Sequence, residues 1–284
     1  MQIGIVHFTS DRGIGPAALA PLVESAELAA YYVPEHGHIP VRRDAAHPGT
    51  GGPELPDDRY MRTLDPWASL AAAAAVTSRV ALGTAVALPV QSDPITLAKA
   101  VATVDHISGG RVTLGVGFGW NTDELGDHGV PAGRRRTMLR EYLEAMRALW
   151  TDDVAAYDGE LVRFGPSWAW PKPIGPLPTL LGAGGTDKNF RWIARNARGW
   201  ITTPRDRGIA AACLRLQQLW AEEERDGSPY VVALDGVPAL DRLARWDEAG
   251  VDLVLYPAVD ESVSAATEYL GRLADAVRPW AEVP

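Results

Sequence analysis

The sequence lacks the features that mark secreted and membrane-spanning chains. Its single cysteine, Cys213, cannot form a disulfide within the chain, which indicates a reducing compartment. No run of apolar residues approaches the roughly 18 that a membrane span requires. The first residues, MQIGIVHF, carry no basic region ahead of their apolar stretch, which is typical of a strand rather than of a signal peptide. We therefore expect a cytoplasmic protein.

The chain also lacks an excess of basic charge. Its 27 Lys and Arg residues stand against 36 Asp and Glu residues, which gives a net charge of −9. Nucleic acids and anionic membrane surfaces bind to basic faces of proteins. We therefore expect neither as a partner, and the search for a function turns to small-molecule ligands.

Strand-like and helix-like segments alternate along almost all of the 284 residues. The eight predicted strands span residues 2–7, 30–34, 79–88, 111–116, 177–181, 200–203, 230–234 and 251–256. A helix is predicted after each strand, at residues 16–30, 65–77, 93–106, 134–150, 187–196, 210–224, 238–249 and 264–277, and an Asp158-Gly159 turn marks a small excursion near residues 154–164. Eight strand–helix units close into a barrel, so we predict a single α/β domain over residues 1–284 with the (β/α)8 TIM-barrel fold.

The main alternative is an open, doubly wound sheet that binds a dinucleotide. Such a sheet carries a glycine fingerprint after its first strand and an acidic residue about 20 positions later. After His7 the chain reads FTSDRGIGP, which has Gly13 and Gly15 but not the third glycine. The barrel is therefore the preferred fold, and its active site is expected at the carboxyl ends of the strands.

One glycine-rich segment follows a predicted strand directly. In LLGAGGTDKNF, three glycines, Gly182, Gly184 and Gly185, precede a helix whose expected N-cap is Thr186. Glycines let backbone N–H groups turn toward a ligand, and a helix N-terminus favours an anion, so the segment could hold a phosphate. A tight barrel loop that needs positive φ angles would show the same pattern, and the residues alone leave both interpretations open.

A second cluster of polar residues, Glu35-His36-Gly37-His38, follows another predicted strand. A His-x-His pair suggests a metal site, but no histidine follows His128, so the later strands cannot supply further imidazole ligands. We predict no metal site. A contact to an organic cofactor or substrate is favoured, with a hydrogen-bonded surface histidine as the alternative. Trp120, in a predicted loop, could form the wall of a pocket for a planar ligand.

Several segments together resemble the bacterial luciferase-like superfamily, which contains flavin monooxygenases and oxidoreductases that use the deazaflavin coenzyme F420. The segments are VALGTAVALPVQSDPITLAKAVATVDHISGGRVTLGVGFGWNTDE (80–124), REYLEAMRALWTDDVAAYDGELVRFGPSWAWPKP (140–173), LPTLLGAGGTDKNFRWIARNARGW (177–200), YYVPEH (31–36) and AGVDLVLYP (249–257). The resemblance covers most of the chain. The WAWPKP segment favours the F420-dependent branch over the luciferases themselves.

The resemblance implies a barrel with insertion loops and a cofactor at its carboxyl-terminal mouth. It implies that Gly182, Gly184, Gly185 and Thr186 hold the cofactor phosphate, that Glu35 and His36 lie beside the ring system, that Ala85 and Val86 form a bulge with a non-prolyl cis peptide bond against the ring, and that Asp123 contacts the tricycle at a position where relatives often have Asn. Trp120 and Pro40 stand where sugar-phosphate dehydrogenases of the family have Glu and Trp. These two departures argue against a sugar-phosphate substrate.

The implied activity is hydride transfer between C5 of F420 and a small organic substrate. His36 is the expected proton donor or base, because an imidazole both gives and takes a proton near neutral pH, and His7 and His38 are reserve candidates. Arginines at 59, 62 and 134–136 could supply positive charge for the polyanionic tail of F420.

Two other functions share the same predicted fold and phosphate segment. One is an FMN-dependent monooxygenase, and the other is a non-catalytic protein that binds a flavin or deazaflavin. The family also implies a homodimer, for which the small side chains at residues 71–75 would permit close helix packing.

Overall fold

A computed structural model describes residues 1–131, 133–202 and 208–281, and its main body is a closed barrel of eight parallel strands. The described residues contain ten strands, of which all but β5 and β6 belong to the barrel. They are β1 (Gln2–Val6), β2 (Ala30–Val33), β3 (Ala81–Thr84), β4 (Val112–Gly117), β5 (Ala155–Asp158), β6 (Arg163–Ser167), β7 (Thr179–Gly182), β8 (Gly199–Ile201), β9 (Tyr230–Leu234) and β10 (Leu253–Pro257). Around the barrel the order is β1-β2-β3-β4-β7-β8-β9-β10, with β10 pairing back to β1. The predicted (β/α)8 TIM barrel is confirmed. Residue 203, the end of the sixth predicted strand, lies outside the described residues.

Helices follow the barrel strands on the outside. They are α1 (Pro16–Ser25), α2 (Pro66–Ala75), α3 (Pro94–Ser108), α4 (Thr122–Asp127), α5 (Arg135–Thr151), α6 (Asp187–Asn196), α7 (Ile209–Glu222), α8 (Leu240–Glu248) and α9 (Val263–Ala281). The helices predicted to begin at residues 65 and 93 form there, because the side chains of Asp65 and Asp93 accept hydrogen bonds from the backbone N–H of Ala68 and Thr96 and a proline follows each cap. None of the described helices is long and apolar enough to cross a membrane.

The insertions lie between barrel elements. Strands β5 and β6 form a separate antiparallel pair around the Asp158-Gly159 turn, as the sequence indicated. Helix α4 and the 3-10 helices Asp58–Met61 and Pro89–Gln91 were not predicted. All three are short and occupy loops near the carboxyl ends of β2, β3 and β4, where residues without a regular apolar period nevertheless adopt ordered turns.

The alternation of side chains along each strand produces two apolar layers. One set faces the barrel interior and includes Tyr32, Leu180, Ile201, Val232 and Leu255. The other set faces the helices and forms the larger outer layer, which contains Tyr31, Leu114 and Trp200. Ala85 and Val86 pack against the interior cluster, so the segment after β3 covers the barrel interior at the mouth.

Candidate functional site

The segment that follows β3 forms the centre of the candidate site. The peptide bond between Ala85 and Val86 is cis, as the resemblance implied. Hydrogen bonds tie the segment to both neighbouring strands: the N–H of Ala85 donates to the carbonyl of Val33 at 2.9 Å, and the N–H of Ala87 donates to the carbonyl of Gly115 at 2.8 Å. The bulge is thus held between β2 and β4.

The side chain of Val86 lies over the ends of β4 and β7. A methyl group added at Gly182 would overlap Cγ1 of Val86, and one added at Gly117 would lie 2.7 Å from Cγ2. Neither Gly182 nor Gly185 has a positive φ, so the tight-turn interpretation does not apply to them. Gly182 is required for close approach of Val86, and this contact joins the bulge to the predicted phosphate segment.

Glu35 braces the bulge from the side of β2. Its backbone N–H donates to the carbonyl of Val86 at 3.2 Å, and its Oε2 accepts from the N–H of Leu88 at 2.5 Å. Burial raises the pKa of Glu35 to about 7; the Leu88 N–H opposes this rise, and the nearby carboxylates of Asp65 and Glu124 add to it. Glu35 can therefore hold or release a proton near neutral pH.

His36 is paired with a carboxylate that was not among the predicted site residues. Its Nδ1 lies 3.1 Å from Oε2 of Glu124, and the two side chains are only 7% and 1% exposed. Helix α4 positions Glu124, and its N-cap Asn121 accepts a hydrogen bond from the Glu124 N–H. Because a carboxylate accepts hydrogen bonds, Nδ1 carries the hydrogen, and Nε2 is the ring atom that can exchange a proton with a ligand.

Aromatic rings surround the imidazole of His36. Phe8 is nearly parallel to it, with 6.5 Å between ring centroids and 19° between planes. Tyr60, on the 3-10 helix Asp58–Met61, and Trp120, after β4, have centroid distances of 5.3 Å and 5.9 Å to His36. Phe8, Tyr60 and Trp120 are only partly buried, in contrast to the core aromatic side chains. Together they form a partly exposed apolar surface beside His36, and the pocket-wall role of Trp120 stays a prediction.

The predicted phosphate segment lies at the carboxyl end of β7 and leads into α6. Thr186 is the N-cap, since its hydroxyl accepts from the Asn189 N–H at 3.3 Å. The Asn189 side chain donates to the carbonyl of Gly184 at 2.8 Å and accepts from the Arg136 guanidinium at 2.8 Å. Gly185 and Thr186 are exposed. The segment thus combines an exposed helix N-terminus with a nearby cation, and its phosphate contact stays a prediction.

Asp123 forms contacts within the chain, and the contact to the tricycle that the resemblance implies for it stays a prediction. Its Oδ2 accepts hydrogen bonds from the backbone N–H groups of Asp44 and Ala45, at 3.0 and 2.9 Å, and so fixes the long loop after β2. Two residues earlier, Asn121 is 1% exposed, and its Nδ2 is buried without a hydrogen-bond partner among the described residues. Asn121 is therefore the better candidate for a polar contact to a ligand.

The reserve histidines lie outside the aromatic surface. His7 is fully buried, with Nδ1 2.7 Å from the hydroxyl of Tyr31 and Nε2 3.5 Å from Asp260, whose pKa it lowers. His38 is exposed and lies 3.0 Å from Asp127. His7 thus joins the end of β1 to β2 and to Asp260, and His38 joins the loop after β2 to α4.

The predicted cationic residues are divided between two surroundings. Arg59 and Arg62 are paired with Asp57 and Asp11, and Arg134 is paired with Glu160. Arg135 donates to the carbonyl of Gly119, and Arg136 lies 4.2 Å from the ring centroid of Phe118 and contacts Asn189. Of these candidates, Arg136 is the one in contact with α6 next to the phosphate segment. The residues that follow the sixth predicted strand at the mouth, 203–207, lie outside the described residues.

Sequence reasoning missed Glu124, Asn121 and Tyr60. A signal for the first two exists, because an Asn followed three residues later by Glu, a few residues after a strand, matches the start of a capped helix. Tyr60 lies in a stretch rich in Pro and Gly, and no periodicity indicates its position near His36.

The family model for luciferase-like monooxygenases matches residues 16–278 of this chain. The chain therefore belongs to the luciferase-like monooxygenase family. A protein of Mycobacterium tuberculosis without an assigned function is 66% identical over 275 residues, which are 96% of this chain and 98% of the relative. An F420-dependent glucose-6-phosphate dehydrogenase of Segniliparus rotundus is 38% identical over 151 residues, 51% of this chain and 45% of that enzyme.

A solved structure shares the fold over nearly the whole chain. It is an F420-dependent secondary alcohol dehydrogenase in complex with an F420-acetone adduct, with a TM-score of 0.74, 16% identity and coverage of 98% of this chain and 99% of that chain. The likeness shows that the two chains share a fold.

Proposed function

We propose that the protein is an oxidoreductase that transfers a hydride between coenzyme F420 and a small organic carbonyl or alcohol. The observation that carries the proposal is the buried His36–Glu124 pair beside the Ala85–Val86 bulge, at the carboxyl-terminal mouth of the barrel. Membership of the family and the F420-dependent relatives support the cofactor.

The residues at the mouth fit a flat, partly polar ring system. Val86 offers an apolar surface at the bulge. On the 3-10 helix that follows the bulge, the side-chain amide of Gln91 has both its oxygen and its nitrogen buried without a partner among the described residues. The Nδ2 atom of Asn121 is likewise buried without a partner there. Buried polar atoms without partners are costly, so they indicate a ligand or water that completes their hydrogen bonds.

Bound F420 would supply the hydride chemistry, and the chain would supply binding, orientation and the proton. The segment of Gly182, Gly184, Gly185 and Thr186 would hold the phosphate, while Glu35 and the bulge would support the ring. When a carbonyl carbon receives a hydride, its oxygen must receive a proton. Nε2 of His36 would donate that proton, and the Glu124 carboxylate would stabilise the imidazolium before the transfer.

The second candidate is an FMN-dependent monooxygenase, which the name of the matching family favours. Both candidates place a phosphate at α6 and a ring at the bulge. They differ in the cofactor that binds and in the need for oxygen, and a protein that binds a cofactor without turnover is the remaining alternative.

Titration of the purified apoprotein with F420 and with FMN, followed by fluorescence, tests the proposal. We expect F420 to bind at least tenfold more tightly than FMN. Gly184→Val is expected to weaken F420 binding, since a branched side chain obstructs the backbone N–H groups at the α6 N-terminus. Gly165→Val, in β6 where no atom lies within 4 Å of an added Cβ, is the matched control and should bind F420 like the parent. Tighter binding of FMN, or an unchanged F420 affinity in a folded Gly184→Val variant, contradicts the proposal.

A further inference from the structure

The residues beside His36 form a surface made largely of aromatic rings. This surface, the aromatic mouth, consists of Phe8, Tyr60 and Trp120, together with the ring of His36 itself. The rings come from three loops: Phe8 from the loop after β1, Trp120 from the loop after β4, and both His36 and Tyr60 from the long loop after β2. Three loops therefore bring aromatic rings to one region.

Tyr60 lies at the junction of these rings. Its centroid is 4.7 Å from that of Phe8 and 5.3 Å from that of His36. His47 then packs edge-on against both Tyr60 and Trp120, at 4.9 Å from each. The orientation of Tyr60 is thus fixed by contacts on several sides, and the residue stays only partly buried.

The segment that carries Tyr60 is fastened to the loop after β1. Arg62 forms two hydrogen bonds of 2.6 Å with the carboxylate of Asp11, and Arg12 forms an ion pair with Asp58. These contacts fasten residues 58–62 to the loop after β1, so that Tyr60 is held next to Phe8 and His36.

The charges around the mouth disfavour anions. The arginines of this region, Arg12, Arg59 and Arg62, each have an aspartate partner. On the polar side of the mouth lies the carboxyl group of Glu124, which is almost fully buried. An anionic substrate would meet this carboxylate at short range, where the low dielectric strengthens repulsion.

We infer that the substrate of this site is a neutral molecule with an aromatic or planar unsaturated group next to its reacting carbon, and that Tyr60 is the residue that sets this preference. The inference rests on the proposed function, since it concerns the substrate side of the same site. It follows from ring geometry, because stacked and edge-to-face contacts stabilise a flat group beyond the burial of its area. A saturated group of equal size gains only the burial.

Three methyl ketones and one variant pair test the inference. The probes are acetophenone, its saturated counterpart cyclohexyl methyl ketone, and the anion 4-acetylbenzoate. Their affinities are measured by calorimetric titration of the F420-loaded protein and, separately, of the apoprotein, so that ligand binding is followed apart from turnover.

We expect the parent to bind acetophenone about tenfold more tightly than either of the other probes. In Tyr60→Leu the preference over the saturated ketone should fall to about twofold or less, whereas Tyr60→Phe, which keeps the ring, should restore it. Trp168→Leu, at a surface tryptophan that is 82% exposed, is the control for loss of an aromatic ring and should keep the preference.

The inference is overturned if 4-acetylbenzoate binds as tightly as acetophenone, or if Tyr60→Leu keeps the aromatic preference. If F420 does not bind but the apoprotein still prefers acetophenone, and loses this preference in Tyr60→Leu, the proposed cofactor is overturned and the substrate class is supported. F420 binding without selection among the ketones overturns the substrate class alone.

Discussion

The contact between Val86 and Gly182 predicts an energetic coupling between the bulge and β7. Gly182→Ala places a methyl group in the volume of Cγ1 of Val86, and backbone on both sides limits the relaxation. Overpacking of this kind costs about 1–3 kcal/mol of unfolding free energy. Val86→Ala removes the blocking methyl groups, so the double variant should recover most of the loss caused by Gly182→Ala.

Urea denaturation of the parent, both single variants and the double variant gives the coupling energy directly. We expect the double variant to be about 1–3 kcal/mol more stable than the sum of the single changes predicts. Gly165→Ala, in open space on β6, is the control and should stay within about 0.5 kcal/mol of the parent. Additive effects of Gly182→Ala and Val86→Ala would refute the argument that Gly182 is required for the close approach of Val86.

Three further predictions concern the site and the assembly. The pKa of Glu35 is raised from 4.5 to about 7, so its favourable contribution to folding stability is complete below pH 4.5 and is lost as the pH rises through 7. In urea denaturation the unfolding free energy of Glu35→Gln should therefore equal that of the parent near pH 4 and exceed it by about 3 kcal/mol at pH 8. Stability curves of the two proteins that run parallel with pH would contradict this. His36→Asn should lower kcat by a factor of about 10²–10⁴, while the F420 dissociation constant changes less than threefold. Glu124→Gln should also lower kcat. If His36→Asn keeps a kcat near that of the parent, His36 is not the proton donor. A homodimer remains a prediction, which sedimentation velocity at micromolar concentration tests, and a monomer there contradicts it.

The barrel could be predicted because its signals are local and repeated. Strand β9 and helix α6 have the predicted bounds, and the Asp-Pro pairs before α2 and α3 mark helix starts through side-chain caps at Asp65 and Asp93. For the predicted barrel elements the errors lie at their ends, and the elements that were not predicted are α4 and the two 3-10 helices in the loops. The strand predicted over residues 79–88 ends at Thr84, since the next residues form the bulge rather than continue the strand.

The candidate site could be predicted only in part, because it depends on pairs of residues far apart in sequence. Glu35 and His36 lie at the mouth as expected, but the partner Glu124 is 88 positions from His36, and no local pattern connects them. Asp123 was identified through a family position. Its carboxylate accepts hydrogen bonds from Asp44 and Ala45 in the loop after β2, and no sequence pattern predicts this contact. The role of Tyr60 depends on how the loop after β2 folds over the mouth, which a Pro- and Gly-rich composition does not specify.

Transfer of deuterium tests the proposed hydride chemistry most directly. Reduced F420 labelled with deuterium at C5 is mixed with the protein and acetophenone without oxygen, and the alcohol product is analysed by mass spectrometry. Direct hydride transfer predicts deuterium on the former carbonyl carbon of the product, and a strongly reduced yield with His36→Asn. An alcohol without deuterium, or product that forms only with oxygen and contains an oxygen atom derived from it, would contradict hydride transfer from F420.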